Sequence, residues 1–339
     1  MTEKNNNITV LGGGSFGTAI ANMIAANGAH TTLWMRDEEN VQRCRRHHEN
    51  DRYLPGYKLD KRLHITSDLA VALHGAKLVF FSVPSKAFRD VCRHAADFIE
   101  PGTMAVSTAK GIEGDTFRLM SSVLTEELDQ PRVGVISGPN LAREVARQEL
   151  TATVIASADE GLCSTVQKIL GTTFFRVYAN HDMFGVELAG ALKNIYAIAA
   201  GIASAMDLGQ NTMSMLITRS LAEMTRFATR LGADPMTFIG LSGVGDLFVT
   251  CTSPLSRNYR IGQALGRGKS LEEAIEEVGQ VAEGVNTTRT VKLKADELDI
   301  YMPLVTGLYE VMFNGASISD VIKTMMVSTQ TEDVEFRVQ

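Results

Sequence analysis

The sequence has few cysteines and no long hydrophobic run. Its four cysteines, Cys44, Cys92, Cys163 and Cys251, stand apart without Cys-x-x-Cys pairs, so neither a zinc site nor a disulfide framework is predicted. The longest uncharged apolar stretch, residues 195–206, is shorter than the roughly 20 residues that span a bilayer. The first residues lack the basic and apolar segments of an export signal. We therefore expect a cytoplasmic protein without a transmembrane segment.

Positive charge is scarce as well. The 33 lysines and arginines are outnumbered by 39 aspartates and glutamates, which gives a net charge of −6. General nucleic-acid binders need a cationic face, so this class is excluded. With 45% hydrophobic and 21% charged residues, the composition is typical of a globular protein and excludes a disordered or collagen-like chain. The length predicts about two domains.

Short apolar segments alternate with helical segments in the first half of the chain. The predicted strands are residues 8–11, 31–35, 78–83, 104–107, 133–137 and 153–156. Because they are apolar without strict alternation, we expect them to be covered on both faces, as in a parallel α/β sheet. Helical candidates over residues 18–27 and 86–98 complete a βαβ pattern.

After about residue 182 the strands stop and helical spacing takes over. Residues 187–206 are rich in Ala, Ile and Leu, Asp234 and Pro235 mark a further helix start, and residues 271–278 and 304–313 continue the pattern. We therefore predict an α/β protein with two domains. Residues 1–188 would form an N-terminal, Rossmann-type doubly wound sheet domain, and residues 189–339 an all-α C-terminal domain.

A glycine-rich loop follows the first predicted strand. Gly12, Gly14 and Gly17 form Gly-x-Gly-x-x-Gly between that strand and a helix. Gly12 permits the tight turn, Gly14 lets the backbone approach a pyrophosphate, and Gly17 lets the helix pack against the strand. The helix N-terminus adds N–H donors for an anion. This setting predicts a dinucleotide-binding loop.

The end of the second strand indicates the choice of dinucleotide. Arg36 and Asp37 follow that strand directly. A carboxylate in this place binds the ribose 2′-hydroxyl of NAD, whereas an arginine accommodates the 2′-phosphate of NADP. Arg36 comes first and favours NADPH, but Asp37 keeps NADH open as the alternative.

Lys193 interrupts the most apolar helical segment. Small neighbours such as Ala189 and Gly190 lie on its face of the helix and leave a hollow for a substrate. An ammonium in an apolar pocket loses hydration and passes a proton more readily near neutral pH. Such a group serves a dehydrogenase, because a carbonyl oxygen that receives a hydride on its carbon must be protonated. The alternative is a lysine that reaches the surface or is neutralised by an acid such as Glu187.

A third polar cluster lies downstream. A glycine-rich turn over residues 240–245 ends in the carboxylate of Asp246. Ser256, Arg257 and Asn258 then place a hydroxyl, a guanidinium and an amide in succession, a set of donors that suits a phosphate monoester. Ser256 as a helix cap and Arg257 as a surface charge remain open.

Several short motifs are spread over most of the chain. They are Gly12-Gly-Gly-Ser-Phe-Gly-Thr-Ala19, Val83-Pro-Ser85, Lys110-Gly-Ile-Glu113, Ile136-Ser-Gly-Pro139, Leu192-Lys-Asn194, Gly243-Val-Gly-Asp-Leu247, Ser256-Arg-Asn258 and Val281-Ala-Glu-Gly284. In these motifs and their order the sequence resembles the bacterial NAD(P)-dependent glycerol-3-phosphate dehydrogenases. The resemblance covers residues 8 to about 315.

This resemblance implies an activity and a set of site residues. The activity is the reversible reduction of dihydroxyacetone phosphate to sn-glycerol 3-phosphate, which supplies the phospholipid backbone, in a cytoplasmic homodimer without a metal. Lys193 would donate or accept the proton. Substrate contacts would come from Lys110, Gly138, Asn140, Lys193, Asp246, Ser256, Arg257 and Asn258. Besides the three loop glycines, dinucleotide contacts would come from Ser15, Phe16, Arg36, Lys110, Ala142, Arg257, Val281 and Glu283.

The resemblance also predicts a local basic cluster in an acidic protein. Arg36, Lys110, Lys193 and Arg257 would meet there, because the dinucleotide and the phosphate ester are both anions. Two positions depart from the family pattern. Asn140 stands where Ser or Thr is usual and is kept as a substrate contact because it still forms hydrogen bonds. Ala109 stands where Thr is usual and lacks its hydroxyl.

Two other functions remain open from the residues. One is a different two-domain dehydrogenase that acts on a hydroxy acid or a hydroxyacyl thioester. The other is a non-catalytic dinucleotide sensor, which would keep the glycine loop but would not need Lys193, Asp246 and Arg257 together.

Overall fold

Eight strands in the first part of the chain form one sheet. The computed structural model describes residues 7–114, 116–279 and 282–327. The strands are β1 Asn7–Leu11, β2 Thr31–Trp34, β3 Leu63–Thr66, β4 Ala76–Phe81, β5 Met104–Ser107, β6 Arg132–Ser137, β7 Thr151–Ala156 and β8 Phe175–Asn180. Their order in the sheet is β3-β2-β1-β4-β5-β6-β7-β8. The order reverses between β1 and β4, and doubly wound folds bind ligands beyond the carboxyl ends of their strands at such a point.

The two outermost strands, β3 and β8, are absent from the sequence prediction. β3 has only four residues and exposes His64. In β8 buried Phe175 and Val177 alternate with exposed Arg176 and Tyr178. An edge strand with one buried face carries fewer apolar residues than the central strands, which the apolar pattern did identify.

The direction of β7 corrects the expectation of a wholly parallel sheet. β7 runs antiparallel to β6, while every other neighbouring pair is parallel. The segment between β6 and β7 contains only a five-residue helix, Ala142–Ala146, and it returns the chain at the same end of the sheet. A parallel return would need a crossover to the opposite end.

Both faces of the sheet are buried, as the apolar strands predicted. Phe80 enters the core that contains Ile20 and Ile24. Its neighbour Phe81 enters the opposite core and lies 5.7 Å from the ring of Phe88. Successive residues of a strand point to opposite faces, so two layers of helices must cover this sheet.

The chain divides into two compact units. The sheet unit comprises residues 1–113 and 118–187, and the helical unit comprises residues 114–117 and 188–339. Helices that flank the strands are α1 Ser15–Ala26, α2 Glu38–His47, α3 Leu69–Leu73, α4 Ser85–Ala96, α5 Met120–Glu127, α6 Ala142–Ala146 and α7 Glu160–Leu170. The later helices are α8 Met183–Ala205, α9 Gln210–Arg230, α10 Asp246–Thr252, α11 Arg257–Gly266, α12 Leu271–Val278, α13 Glu283–Glu297, α14 Pro303–Phe313 and α15 Ile318–Val327.

Helix α8 is the apolar helix that the sequence predicted. Among the described residues it is the one helix long and apolar enough to cross a membrane, and 83% of its apolar window is buried inside the fold. Such burial is typical of the core helix of a soluble protein.

Glycines bring α8 and α11 into close contact in the helical unit. A Cβ atom on Gly201 would lie 2.0 Å from the Tyr259 carbonyl oxygen, and one on Gly262 would lie 1.9 Å from the Ile198 carbonyl oxygen. No side chain fits at either position, so the two backbones touch. This contact sets the side chains at the start of α11 beside those of α8.

Candidate active site

The glycine loop after β1 has the geometry of a pyrophosphate loop. Gly12 has φ +121°, and a Cβ atom there would lie 2.5 Å from the Ser82 carbonyl oxygen. A Cβ atom on Gly17 would lie 2.0 Å from the Gly12 carbonyl oxygen. Both glycines are therefore required by the turn and by the approach of α1 to the strand.

Gly14 serves a different purpose from the other two glycines. It directly precedes α1 with extended backbone, and a Cβ atom on it would meet nothing within 4 Å. The open space lies where the backbone N–H groups of the helix N-terminus can reach an anion. The residues present thus fit a dinucleotide pyrophosphate, with Gly14 as the point of approach.

Loop residues beyond the glycines are held by the segment that follows α2. The Ser15 hydroxyl donates to the Tyr53 carbonyl at 2.6 Å. The buried Asn50 amide donates to the Gly13 carbonyl at 2.9 Å and contacts the Thr18 hydroxyl at 2.8 Å. Asn50 is absent from the sequence prediction, because an amide in a polar loop shows no pattern of its own.

Arg36 and Asp37 are both exposed at the end of β2 but differ in their contacts. Arg36 is exposed. Asp37 accepts a hydrogen bond from Asn40 N at 3.1 Å, which caps α2, and pairs with Arg52 at 2.7 Å. The Asn40 hydrogen bond and the nearby Arg52 lower the pKa of Asp37. The exposed Asp37 carboxylate is thus already engaged by Asn40 and Arg52.

Lys110 and Gly138 lie together beyond the carboxyl ends of β5 and β6. The Lys110 ammonium donates to the Gly138 carbonyl at 2.8 Å. Gly138 has φ +144°, and a Cβ atom there would lie 3.2 Å from Thr153 Cα. The sequence predicted both residues as substrate contacts, and the fold brings them to one place.

Asn140 is tied to strand β7. Its amide nitrogen donates to the Ala152 carbonyl at 3.3 Å, and its oxygen lies 2.8 Å from the Thr153 hydroxyl. The longer side chain thus fixes the turn after Gly138. Ala109 is partly buried against the apolar core beside α4, where a methyl group packs well.

The buried lysine of α8 is paired with an acid and a hydroxyl. Lys193 retains 5% of its accessible surface and Asp246 none. The Lys193 Nζ atom donates to the Asp246 carboxylate and, at 2.6 Å, to the Thr250 hydroxyl. The Thr250 hydroxyl in turn donates to the Asp246 carbonyl at 2.6 Å. A buried ammonium requires such compensation of its charge.

The partner of Lys193 is Asp246, not the Glu187 that the sequence offered as an alternative. Glu187 instead accepts a hydrogen bond from Ser121 N at 3.0 Å, at the N-terminus of α5. Thr250 is missing from the sequence prediction. Its signal is the spacing of four residues after Asp246, which puts both side chains on one face of α10.

A tight turn aims Asp246 at the lysine. The turn Leu241–Gly245 leads directly into α10. A Cβ atom on Gly243 would lie 2.1 Å from the Phe238 carbonyl oxygen, so glycine is needed where the chain doubles back on itself. The glycine-rich turn predicted from the sequence therefore has a steric cause.

Ser256 and Arg257 begin helix α11. The Ser256 hydroxyl accepts from Tyr259 N at 3.3 Å and caps the helix, so the helix-cap alternative is correct for this side chain. Arg257 retains exposed surface, yet the atoms crowded around its guanidinium lower its pKa, and Glu283 opposes that shift. A guanidinium that is partly desolvated and still accessible is well placed to bind an anion.

Asn258 links three helices. Its amide nitrogen donates to Asn194 Oδ1 at 2.8 Å, and its oxygen accepts from Gly284 N at 3.0 Å. Asn194 follows Lys193 on α8, and Gly284 follows Glu283 on α13. The Asn258 side chain therefore holds these elements together, a role that the sequence did not reveal.

The remaining predicted contacts are placed as follows. Phe16 is half-buried in the first turn of α1, and Ala142 begins α6; both pack against the sheet core that contains Phe80. Val281 lies outside the described residues. Among the described residues no group of three or more His, Cys, Asp or Glu side chains is placed to hold a metal.

A pyrophosphate loop on a doubly wound sheet and a charge-compensated buried lysine in a helical unit define the class of NAD(P)-dependent oxidoreductases. Comparison with known proteins identifies the family. The N-terminal domain of NAD-dependent glycerol-3-phosphate dehydrogenase matches residues 7–163, and its C-terminal domain matches residues 182–323. The chain belongs to the glycerol-3-phosphate dehydrogenase family.

Individual relatives agree with this assignment. The glycerol-3-phosphate dehydrogenase [NAD(P)+] of Teredinibacter turnerae is 56% identical over 330 residues, which cover 97% of each chain. That of Pseudomonas aeruginosa PAO1 is 56% identical over 337 residues, which cover 99% of this chain and 98% of the relative. The crystal structure of glycerol-3-phosphate dehydrogenase from Coxiella burnetii superposes with a TM-score of 0.92 at 37% identity, covering 96% of this chain and 99% of that one.

Proposed function

We propose that this chain catalyses the reversible reduction of dihydroxyacetone phosphate to sn-glycerol 3-phosphate with NADPH or NADH. The observation that carries the proposal is the buried group of Lys193, Asp246 and Thr250 in a chain of this family. The product would supply the backbone of phospholipids, and the enzyme would act in the cytoplasm as a homodimer.

Lys193 is the proposed proton donor. When bound, the reduced nicotinamide supplies a hydride to C2 of the substrate. Lys193 gives a proton from Nζ to the carbonyl oxygen, so that the product leaves as an alcohol rather than an alkoxide. Asp246 and Thr250 fix the position of Nζ, because each accepts one of its hydrogen bonds. In the reverse direction the neutral amine takes the proton back.

The proposed substrate contacts are polar and basic groups. In the helical unit, the Arg257 guanidinium would bind the phosphate through two parallel hydrogen bonds. Ser256 and Asn258, at the start of α11, are the other proposed contacts. In the sheet unit the proposed contacts are Lys110, which donates to the Gly138 carbonyl, together with Gly138 and Asn140. A guanidinium matches the charge of a phosphate monoester better than that of a neutral sugar.

The dinucleotide is proposed to bind the first predicted domain, residues 1–188, and residues 189–339 are proposed to form the substrate domain. Support comes from the loop geometry at Gly12, Gly14 and Gly17. The proposed contacts are Ser15, Phe16, Arg36, Lys110, Ala142, Arg257, Val281 and Glu283. Exposed Arg36 and engaged Asp37 favour NADPH over NADH.

A steady-state assay of the purified protein tests the proposal. NADPH oxidation should follow the concentration of dihydroxyacetone phosphate and should be at least about 100-fold slower with unphosphorylated dihydroxyacetone, because the phosphate anchors the substrate. Oxidation of 3-hydroxy acids or hydroxyacyl thioesters, with no response to sn-glycerol 3-phosphate, would instead indicate a different two-domain dehydrogenase. Binding of NADPH without turnover of either substrate class would indicate a sensor.

A further inference from the structure

The carboxylate of Asp37 has both of its oxygens engaged. Oδ1 accepts from Asn40 N at 3.1 Å, and Oδ2 accepts from an Arg52 guanidinium nitrogen at 2.7 Å. An NAD-binding carboxylate in this position must accept hydrogen bonds from ribose hydroxyls. Here each oxygen already accepts one hydrogen bond, from the cap of α2 or from Arg52, and the Arg52 guanidinium offsets the negative charge of the carboxylate.

Arg52 lies between two residues, Asn50 and Tyr53, that are hydrogen-bonded to the glycine loop. The segment that carries it is tied to that loop through Asn50, which donates to the Gly13 carbonyl, and through the Tyr53 carbonyl, which accepts from Ser15. The guanidinium also lies 5.3 Å from the centre of the Tyr53 ring. Arg52 therefore reaches Asp37 from a segment that is fixed beside the proposed pyrophosphate site.

Arg36 completes this arrangement. It is exposed at the end of β2, and no hydrogen bond or ion pair engages its side chain within the part of the chain that the structure describes. Asp37 thus has an arginine before it in sequence and another bound to its carboxylate. A 2′-phosphate at this position would meet two arginines and an Asp37 carboxylate whose charge is offset by Arg52. Without Arg52, the Asp37 carboxylate would repel the phosphate.

We infer that Arg52 is a specificity-determining residue, which selects NADPH by neutralising Asp37 and by adding a second cation beside Arg36. This inference rests on the proposed function, since it concerns the dinucleotide of that reaction. Arg52 acts on the 2′-phosphate through its charge and through Asp37, so its removal changes the ratio of the two dinucleotides and not the chemical step.

The test measures Kd for NADPH and NADH by the fluorescence of the bound reduced nicotinamide, together with kcat/KM for each dinucleotide. In Arg52→Gln we expect NADPH affinity to fall about tenfold and NADH affinity to rise a few-fold, because Asp37 is released. In the double variant Arg52→Gln with Asp37→Asn, the gain for NADH should disappear. Arg36→Gln should lower NADPH affinity without any gain for NADH.

Arg43→Gln is the matched control. Arg43 forms an equally exposed ion pair with Asp51, at 2.5 Å, between α2 and the same segment, but it lies away from the end of β2 in sequence. It should leave both affinities unchanged. The inference is overturned if Arg52→Gln weakens both dinucleotides equally, if the ratio changes by less than about twofold, or if the double variant keeps the gain for NADH.

The binding measurement separates this inference from the proposed function. If the wild-type protein binds both dinucleotides but does not reduce dihydroxyacetone phosphate, the proposed function fails. The ratio of the two Kd values in Arg52→Gln then still decides the role of Arg52.

Discussion

The sheet unit and the helical unit build their anion sites from different parts of the chain. In the sheet unit the proposed pyrophosphate site consists of backbone groups. Its shape requires glycine at positions where no side chain fits, such as Gly12 and Gly17. In the helical unit the proposed proton donor is a side chain, Lys193, whose partner Asp246 lies 53 residues away. The first site depends on close approaches of the backbone and the second on a pair of side chains, so substitutions at the two sites should have different effects.

The largest effect is expected at the side-chain site. Lys193→Met should lower kcat about 1,000-fold, because general acid catalysis contributes about 10²–10⁴-fold. NADPH affinity should stay within about twofold of wild type, since the glycine loop is untouched. Steady-state kinetics and a fluorescence titration of NADPH measure the two quantities.

Folding needs its own control in this experiment, because Lys193→Met removes the ammonium that pairs with the buried Asp246 carboxylate, at a cost of about 3–5 kcal/mol. The double variant with Asp246→Asn removes that charge and should remain equally inactive. Lys269→Met removes a lysine from an exposed pair with Glu277 in the same unit and should keep full activity. Turnover within tenfold of wild type in the double variant would contradict the assignment of Lys193.

The backbone site should instead fail through folding. Gly17→Ala places a methyl group 2.0 Å from the Gly12 carbonyl oxygen, so α1 must shift away from the strand. We expect the free energy of unfolding to fall by about 3 kcal/mol, together with a loss of NADPH binding. Urea denaturation measures the first effect. Wild-type stability in this variant would show that the loop tolerates a side chain at this point.

The two units share one feature, a buried carboxylate at a helix N-terminus. Glu187 accepts from Ser121 N in the sheet unit, and Glu223 accepts from Leu304 N at 2.6 Å in the helical unit. Burial raises the pKa of each from 4.5 to about 7. Between these values the folded state holds the proton that the unfolded chain has lost, so stability falls as the pH rises from about 4.5 to 7.

In Glu223→Gln the loss of unfolding free energy between pH 5 and pH 7.5 should be smaller than in wild type by about 2–3 kcal/mol, since one unit of pKa is worth 1.36 kcal/mol. Urea unfolding at pH 5 and pH 7.5 measures the difference for wild type and variant. Glu272→Gln, on an exposed turn of α12, should keep the wild-type dependence. Equal slopes in wild type and Glu223→Gln would show that this carboxyl does not titrate in the window.

The smallest effect on stability is expected at Gly14, which differs from Gly17 in the same loop. Gly14→Ala meets no atom within 4 Å, so stability should stay within about 1 kcal/mol of wild type. NADPH affinity should nevertheless fall about tenfold, because the methyl group occupies the space that a pyrophosphate approaches. Thermal unfolding and a fluorescence titration separate the two effects. Unchanged affinity would place the pyrophosphate elsewhere.

The contrast between the units also explains which features the sequence could predict. The glycine loop, the central strands and the apolar helix α8 follow from residues that are close in the chain, so their patterns identified them. The partner of Lys193 did not follow from the sequence, which offered Glu187. In the fold Lys193 pairs with Asp246, and Glu187 accepts a hydrogen bond from Ser121, 66 residues away in sequence. Asn258 illustrates the same limit, because an isolated motif does not show which side chains will bridge helices.

The amino-acid sequence alone therefore determined the class of fold, the position of the glycine loop and the family, since each depends on local spacing or on motif order. The tertiary structure decided the direction of β7, the pairing of Lys193 with Asp246 and Thr250, and the engagement of Asp37 by Arg52. These features depend on which segments the fold brings together, and on which of several possible partners a charged side chain then meets. Only packing chooses among such partners, because the free energy of a buried or bridged charge depends on what the fold places next to it.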